Sequence, residues 1–212
     1  MDDGFPRAVL FDLLTALLDS WTLWDAVSGS EATGRAWRAE YLRLTYGSAA
    51  YVPYEKLVRD AARAVGLPDH VPQALEERWP ELKPWSDVPA ALAMLRGRTK
   101  LAVVTNCSIR LGRRAASVLD LNWDCVITAE EAGYYKPNPQ PYRMALARVG
   151  VAPADAAFVA GSGYDLIGTS AVGLRTYWHN RVGLRRPDHA PPPDFEFPTL
   201  DRLLPWLEGR SA

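Results

Sequence analysis

Apolar residues cluster into short runs along this chain, and most runs end on or next to a polar side chain. The first is AVLF, residues 8–11, which leads straight into Asp12. KLAVVTN (100–106), CVIT (125–128), AAFVAG (156–161) and LRTYWHN (174–180) follow. Runs this short, without alternating polar positions, predict strands buried on both faces. Helical patterns separate them. Ser86 and Asp87 can cap a helix carrying Ala91, Leu92, Met94 and Leu95. Further helices are predicted over 108–119, 140–149, 163–173 and 201–207. The stretch 187–198, PDHAPPPDFEFP, reads as a surface loop. Strands alternating with helices imply an α/β fold with a mostly parallel sheet covered on both faces.

Residues 19–86 break this rhythm. They are dense in Trp, Arg, Glu and Ala and contain no buried-strand pattern. Within GRAWRAEYLRLTY, Trp37, Tyr41, Leu44 and Thr45 fall at helical spacing. Pro53 can open a second helix through about Val65, which Gly66 and Pro68 end. A third is predicted over Leu75–Trp79, broken by Pro80. The chain thus divides into an α/β core, 1–18 and 87–212, and a helical insert, 19–86.

Composition narrows the function. With 24 basic and 25 acidic residues the net charge is −1, so no basic excess points to nucleic acid. No apolar run approaches the roughly 20 residues that cross a bilayer. MDDGFPRA lacks the order of a signal peptide. Cys107 and Cys125 do not make a disulfide framework, and the expected compartment is the reducing cytoplasm. Eight tryptophans point to aromatic packing or an aromatic-lined pocket.

In a parallel sheet the carboxyl ends of the strands share one rim, where open α/β folds bind ligands. That rim would collect Asp12, Thr105, Asn106, Lys136, Ser162 and Asp165. Each also has a local reading. Asp12 could cap the next helix, Thr105 and Asn106 could be turn residues, and Asp165 could favour the first turn of its helix. Their convergence is what argues for a site.

These residues and their order resemble the haloacid dehalogenase superfamily over nearly the whole chain. Asp12 matches its nucleophile, Thr105-Asn106 its second motif, Lys136 in YYKPNPQPY its third, and Asp165 in GSGYD its fourth. The resemblance implies a Rossmann-like parallel sheet core, with the helical insert as a cap domain.

Superfamily phosphatases carry Asp-x-Asp-Gly-Thr and a Gly-Asp pair in the fourth motif, and they use Mg²⁺. Here those second acids are Leu14 and Gly161, so no metal or other cofactor is expected. The L-2-haloacid dehalogenases also lack the second acid and need no metal. They attack carbon directly and hydrolyse the aspartyl ester that results. Trp37-Arg38 resembles their Trp-Arg pair, whose arginine assists the leaving halide. Asn106 and Tyr164 fall where that branch lines its halide cradle. Tyr142 matches a tyrosine near the site, and Trp178-His179-Asn180-Arg181 resembles a Trp-x-Asn-Arg ending. The resemblance further implies Lys136 beside an ionised Asp12, and Thr105 with backbone N–H groups holding the substrate carboxylate. Leu13, Leu14 and Trp21 are candidate substrate contacts on the segment after the nucleophile, and dimers are common in the branch.

Two departures stand out. Ala16 replaces the threonine of the first motif, with Thr15 in the usual glycine position. Ser162 replaces an asparagine that helps hold the hydrolytic water. Segment 13–24, LLTALLDSWTLW, is more similar to the L-azetidine-2-carboxylate hydrolases of this branch. Ring opening to 2-hydroxy-4-aminobutyrate is therefore the first expectation, with (S)-2-haloacid dehalogenation beside it. An amine leaving group calls for a contact from Asp19, Tyr41 or Tyr164. A non-catalytic binding module and a nucleophilic Ser162 in Gly161-Ser162-Gly163 are the remaining alternatives. His70, His179, His189 and Cys107 read as structural or exposed.

Overall fold

The computed structural model describes residues 4–209. β1 (Ala8–Phe11) is buried along its whole length, as an apolar run without polar alternates requires at the centre of a parallel sheet. It pairs with β2 (Lys100–Thr105) on one side and β4 (Ala156–Ala160) on the other. β3 (Cys125–Thr128), β5 (Arg175–His179) and β6 (Phe195–Phe197) complete a six-stranded sheet ordered β3-β2-β1-β4-β5-β6, with every pair parallel. The chain steps outward from β1 to β3 and then returns to β4 on the other side. The reversal of direction falls at the carboxyl end of β1, beside Asp12.

Alternation along β1 sends Val9 and Phe11 to one apolar core and Ala8 and Leu10 to the other. α5 (Val88–Leu95), α6 (Ile109–Ala116) and α10 (Leu203–Leu207) pack on the first face, and α8 (Pro139–Val149) and α9 (Asp165–Val172) on the second. A single turn, α7 (Ala129–Ala132), follows β3.

Residues 19–86 form α1 (Ser20–Ser28), α2 (Glu31–Tyr46), α3 (Tyr54–Ala64) and α4 (His70–Glu77), then a 3₁₀ turn, Trp79–Glu81. The insert leaves and rejoins the core side by side: Leu18 bridges Pro84, and the Asp19 N–H donates to the Lys83 carbonyl at 2.8 Å. Four of the eight tryptophans, Trp24, Trp37, Trp79 and Trp178, are buried. The Trp24 and Trp37 rings lie 4.4 Å apart, the Trp37 indole N–H donates to the Val58 carbonyl, and that of Trp79 to the Leu111 carbonyl on α6.

Three sequence expectations need correction. Phe195–Phe197 is an edge strand, not part of a loop; three residues are too few for alternation to register beside a proline cluster. The helix expected over Leu75–Trp79 begins earlier, at His70, and ends at Glu77. No helix follows Asp12. Residues 13–18 form a compact turn with the Leu17 and Leu18 N–H groups donating to the Leu13 carbonyl. Among the described residues no helix is long and apolar enough to cross a membrane.

Candidate active site

The turn after β1 explains how Asp12 is held. One oxygen, Oδ2, accepts from the Thr15 N–H (3.0 Å), the Ala16 N–H (3.1 Å) and the Thr15 hydroxyl. The capping geometry read from the sequence is therefore present, closing a turn rather than a helix. The other oxygen, Oδ1, meets the Lys136 ammonium at 2.8 Å. Thr15 supplies the hydroxyl contact that Ala16 cannot.

Gly161 makes this turn possible. A Cβ built there would lie 2.2 Å from Thr15 Oγ1 and 2.4 Å from the Ala16 nitrogen. No side chain fits at 161 with the turn in this shape, so a metal-binding acid has no room there. Leu14 lines the cavity as an apolar residue. Among the described residues no group of three His, Cys, Asp or Glu side chains is arranged to hold a metal ion. Positions 14 and 161, where a phosphatase-type Mg²⁺ would need acids, hold Leu14 and Gly161.

Lys136 lies between α7 and α8 and is buried. Its ammonium reaches Asp12 Oδ1 and Asp165 Oδ1, at 2.8 and 2.9 Å. Burial works against the Asp12 carboxylate, but Lys136 and the turn donors outweigh it and hold its pKa below the usual value. Burial likewise opposes the Lys136 charge, and the two carboxylates overcome it, raising its pKa. Asp165, at the start of α9, goes the other way. Burial, with the nearby Asp12 charge, pushes its pKa up despite Lys136 and Tyr142. Two neighbouring carboxylates are thus split into a readily ionised one and a more basic one, the division that nucleophile-and-base chemistry uses.

Two polar groups at the site remain unspent, and a third has no counter-ion among the described residues. Asp165 Oδ2 and Thr105 Oγ1 are buried with no hydrogen-bond partner among the described residues. Such orphans are costly unless a ligand or water satisfies them. The third is Arg38, on α2. It is buried, donates to the Ser20 hydroxyl at 2.8 Å and stacks 4.1 Å from the Trp21 ring centroid. No carboxylate forms an ion pair with it among the described residues. Burial depresses its pKa, yet a guanidinium remains protonated.

These groups open onto one cavity of about 60 Å³, lined by Asp12, Leu14, Trp21, Arg38, Thr105, Asn106, Lys136, Ser162, Tyr164 and Asp165. At roughly 10–15 Å³ of such space per water, it holds about four to six waters, and hence a substrate of few heavy atoms. Most of the residues expected from the sequence converge here. Two do not. Leu13 is fully buried in the core beneath the turn; alternation points it away from the cavity that Leu14 faces. Tyr142 is also fully buried, and its hydroxyl donates to Asp165 Oδ1 at 2.8 Å, so it supports Asp165 from behind. Asn106 reaches the wall, but its amide is spent on Lys136: Oδ1 accepts from the Lys136 N–H (2.7 Å) and Nδ2 donates to its carbonyl (3.1 Å). Asp19 accepts from Thr22 at the start of α1 and does not line the cavity.

Leu42, Tyr46 and Leu184 also line the wall. Leu42 and Tyr46 are not among the sequence candidates, although they follow Arg38 at i+4 and i+8 and so share its helix face. Leu184 comes from an irregular loop and left no signal. His179 is buried, with Nδ1 2.8 Å from the Ala16 carbonyl, which ties β5 to the Asp12 turn.

Known proteins are similar to this chain over most of its length. Residues 7–173 match the family model described as haloacid dehalogenase-like hydrolase. Haloacetate dehalogenase H-2 of Moraxella sp. (strain B) is 26% identical over 216 residues, covering 93% of this chain and 96% of the relative. An (S)-2-haloacid dehalogenase of Pseudomonas putida is 27% identical over 195 residues, covering 82% and 85%. A crystal structure of a dehalogenase with an intermediate complex superposes with a TM-score of 0.84 at 26% identity, covering 96% and 97% of the two chains.

Proposed function

The chain belongs to the haloacid dehalogenase-like hydrolases, and from that premise we propose that it hydrolyses a small 2-haloacid through an ester on Asp12. The observation that carries this reading is Arg38, a buried guanidinium with no carboxylate partner among the described residues, facing the cavity that holds the Asp12–Lys136 pair. A buried unpaired cation calls for an anion. Halide supplies one at the moment the carbon–halogen bond breaks.

The steps follow from the geometry. Asp12 Oδ2 is saturated by three donors, so Oδ1 carries the attack. Thr105 Oγ1 and the Leu13 and Leu14 N–H groups, those of Thr15 and Ala16 being spent on Asp12, hold the substrate carboxylate and so orient C2. The new Oδ1–C2 bond forms as the halogen leaves with its electron pair toward Arg38. Water then adds to the ester carbonyl carbon, with Asp165 taking its proton at Oδ2. The Asp12–Oδ1 bond breaks and the product departs as a 2-hydroxy acid. The helical insert acts as a cap, since it brings Trp21, Arg38 and Tyr46 to a site built by the core. Lys136 supplies the positive charge beside both carboxylates. Buried free thiols at Cys107 and Cys125 suit a reducing compartment such as the cytoplasm.

Ring opening of L-azetidine-2-carboxylate is the second reading, favoured by the phenols of Tyr46 and Tyr164 in the cavity wall. It ranks below dehalogenation because a protonated ring nitrogen would face Arg38, and Asp19 lies outside the cavity. Both are tested by incubating the protein and an Arg38→Met variant with L-2-chloropropionate and with L-azetidine-2-carboxylate. Chloride release by the parent and its loss in the variant supports the reading. 2-Hydroxy-4-aminobutyrate as the sole product, undiminished in the variant, overturns it.

A further inference from the structure

A leaving anion needs positive charge at one fixed place, yet Arg38 carries its charge on a long side chain with many rotamers. What holds it is not an acid. Arg38 Nη1 donates to the Ser20 hydroxyl at 2.8 Å. Its guanidinium carbon lies 4.1 Å from the Trp21 ring centroid and 5.6 Å from that of Trp24. A guanidinium only donates and a backbone carbonyl only accepts. The Ser20 hydroxyl proton therefore goes to the Leu14 carbonyl, and the Ser20 lone pair receives Arg38. Ser20 is fully buried and stands behind Arg38, outside the cavity wall. Its N–H donates to the Leu18 carbonyl at 3.0 Å, and the Leu18 N–H donates to the Leu13 carbonyl at 2.9 Å. Backbone and side chain thus both anchor this serine to the turn that carries Asp12. Being neutral, its hydroxyl fixes the guanidinium without cancelling the charge, as a carboxylate there would.

We propose that Ser20 is a positioning residue for carbon–halogen cleavage. It registers Arg38, on the insert, against Leu14, on the Asp12 turn. It thereby sets the span between the substrate carboxylate and the leaving group. The proposal rests on the ester reading above. In the step concerned, the Asp12 Oδ1–C2 bond forms as the C2–halogen bond breaks. The halide takes the electron pair, no proton moves, and Arg38 stays a cation.

The test mixes an excess of the parent, Ser20→Ala or Ser20→Cys with L-2-chloropropionate or L-2-bromopropionate and times the first-turnover burst of halide. A displaced guanidinium should slow the chloride burst of Ser20→Ala about ten- to a hundred-fold. The bromide burst should slow less, because bromide is the weaker base and leaves with less help. Ser20→Cys fills the same space with a weaker acceptor. It should fall between the other two with the same skew, and it carries the test if the alanine variant folds poorly. A merely structural role would lower the active fraction and leave the ratio of chloride to bromide rates where it is. Chloride released at the parent's rate, or both halides slowed by one factor, overturns this proposal alone. Parent product whose new hydroxyl oxygen comes from heavy-oxygen water in the first turnover overturns the ester reading beneath it.

Discussion

Replacing Lys136 by methionine isolates the charge that the site is built around. Methionine keeps most of the length of the stem, so packing loss is small. What disappears is the ammonium 2.8 Å from Asp12 and 2.9 Å from Asp165. Removing one partner of a buried ion pair costs about 3–5 kcal/mol, because the remaining charge is left uncompensated. For a chain of this length, at about 2–4 °C per kcal/mol, the thermal midpoint should fall by roughly 6–20 °C at pH 8. The pH dependence has a definite sign. In the parent, the Asp12 pKa lies below its unfolded value of 3.8, so its contribution is present above that value and lost as pH falls. In the variant, burial acts without the ammonium and lifts the Asp12 pKa above the unfolded value. The folded state then binds more protons than the unfolded one, and stability falls as pH rises. Thermal unfolding at pH 5 and pH 8 reads this directly: the deficit should be larger at pH 8. A loss below about 1 kcal/mol, equal at both pH values, would refute the claim that Lys136 holds two buried carboxylates together.

Other changes probe separate parts of the site. Thr105→Val removes a buried hydroxyl with no partner among the described residues; it should leave the thermal midpoint unchanged or higher while KM for L-2-chloropropionate rises about ten-fold, near the 1.4 kcal/mol of one hydrogen bond. Gly161→Ala places a methyl 2.2 Å from Thr15 Oγ1 and must displace the Asp12 turn; calorimetry should record about 1–3 kcal/mol of destabilisation, with loss of the chloride burst. His179 is buried and its pKa is lowered by burial, against the Ala16 carbonyl and Asp87. Its contribution should hold above the unfolded value of 6.5 and decline as pH falls below it; in His179→Gln, unfolding midpoints between pH 5 and 7.5 should lose that part of the slope.

Sequence pattern carried the fold because its strands are buried on both faces and therefore apolar without interruption. β6 escaped for the opposite reason: an edge strand of three residues needs no such run. The site was legible where chain order and strand ends dictate position, as with Asp12, Lys136 and Asp165. It was less legible where side chains alternate on a turn, so Leu13 and Leu14 could not be told apart. Asn106 and Tyr142 were placed near the site, but their partners are set by tertiary contacts: one grips the Lys136 backbone and the other supports Asp165. Leu184 approaches from a loop whose conformation has no local signature. The guanidinium of Arg38 was expected at the site, whereas its lack of a carboxylate partner among the described residues is a property of the assembled insert alone.

The central claim is that Asp12 bonds to substrate carbon, and single turnover in heavy-oxygen water tests it most directly. Enzyme in excess over L-2-chloropropionate should yield a first-turnover lactate whose new hydroxyl carries ordinary oxygen, taken from the Asp12 carboxylate. The heavy atom should appear in the peptide containing Asp12. Heavy oxygen in that first lactate, with an unlabelled Asp12 peptide, would mean that water attacks carbon directly and would contradict the account.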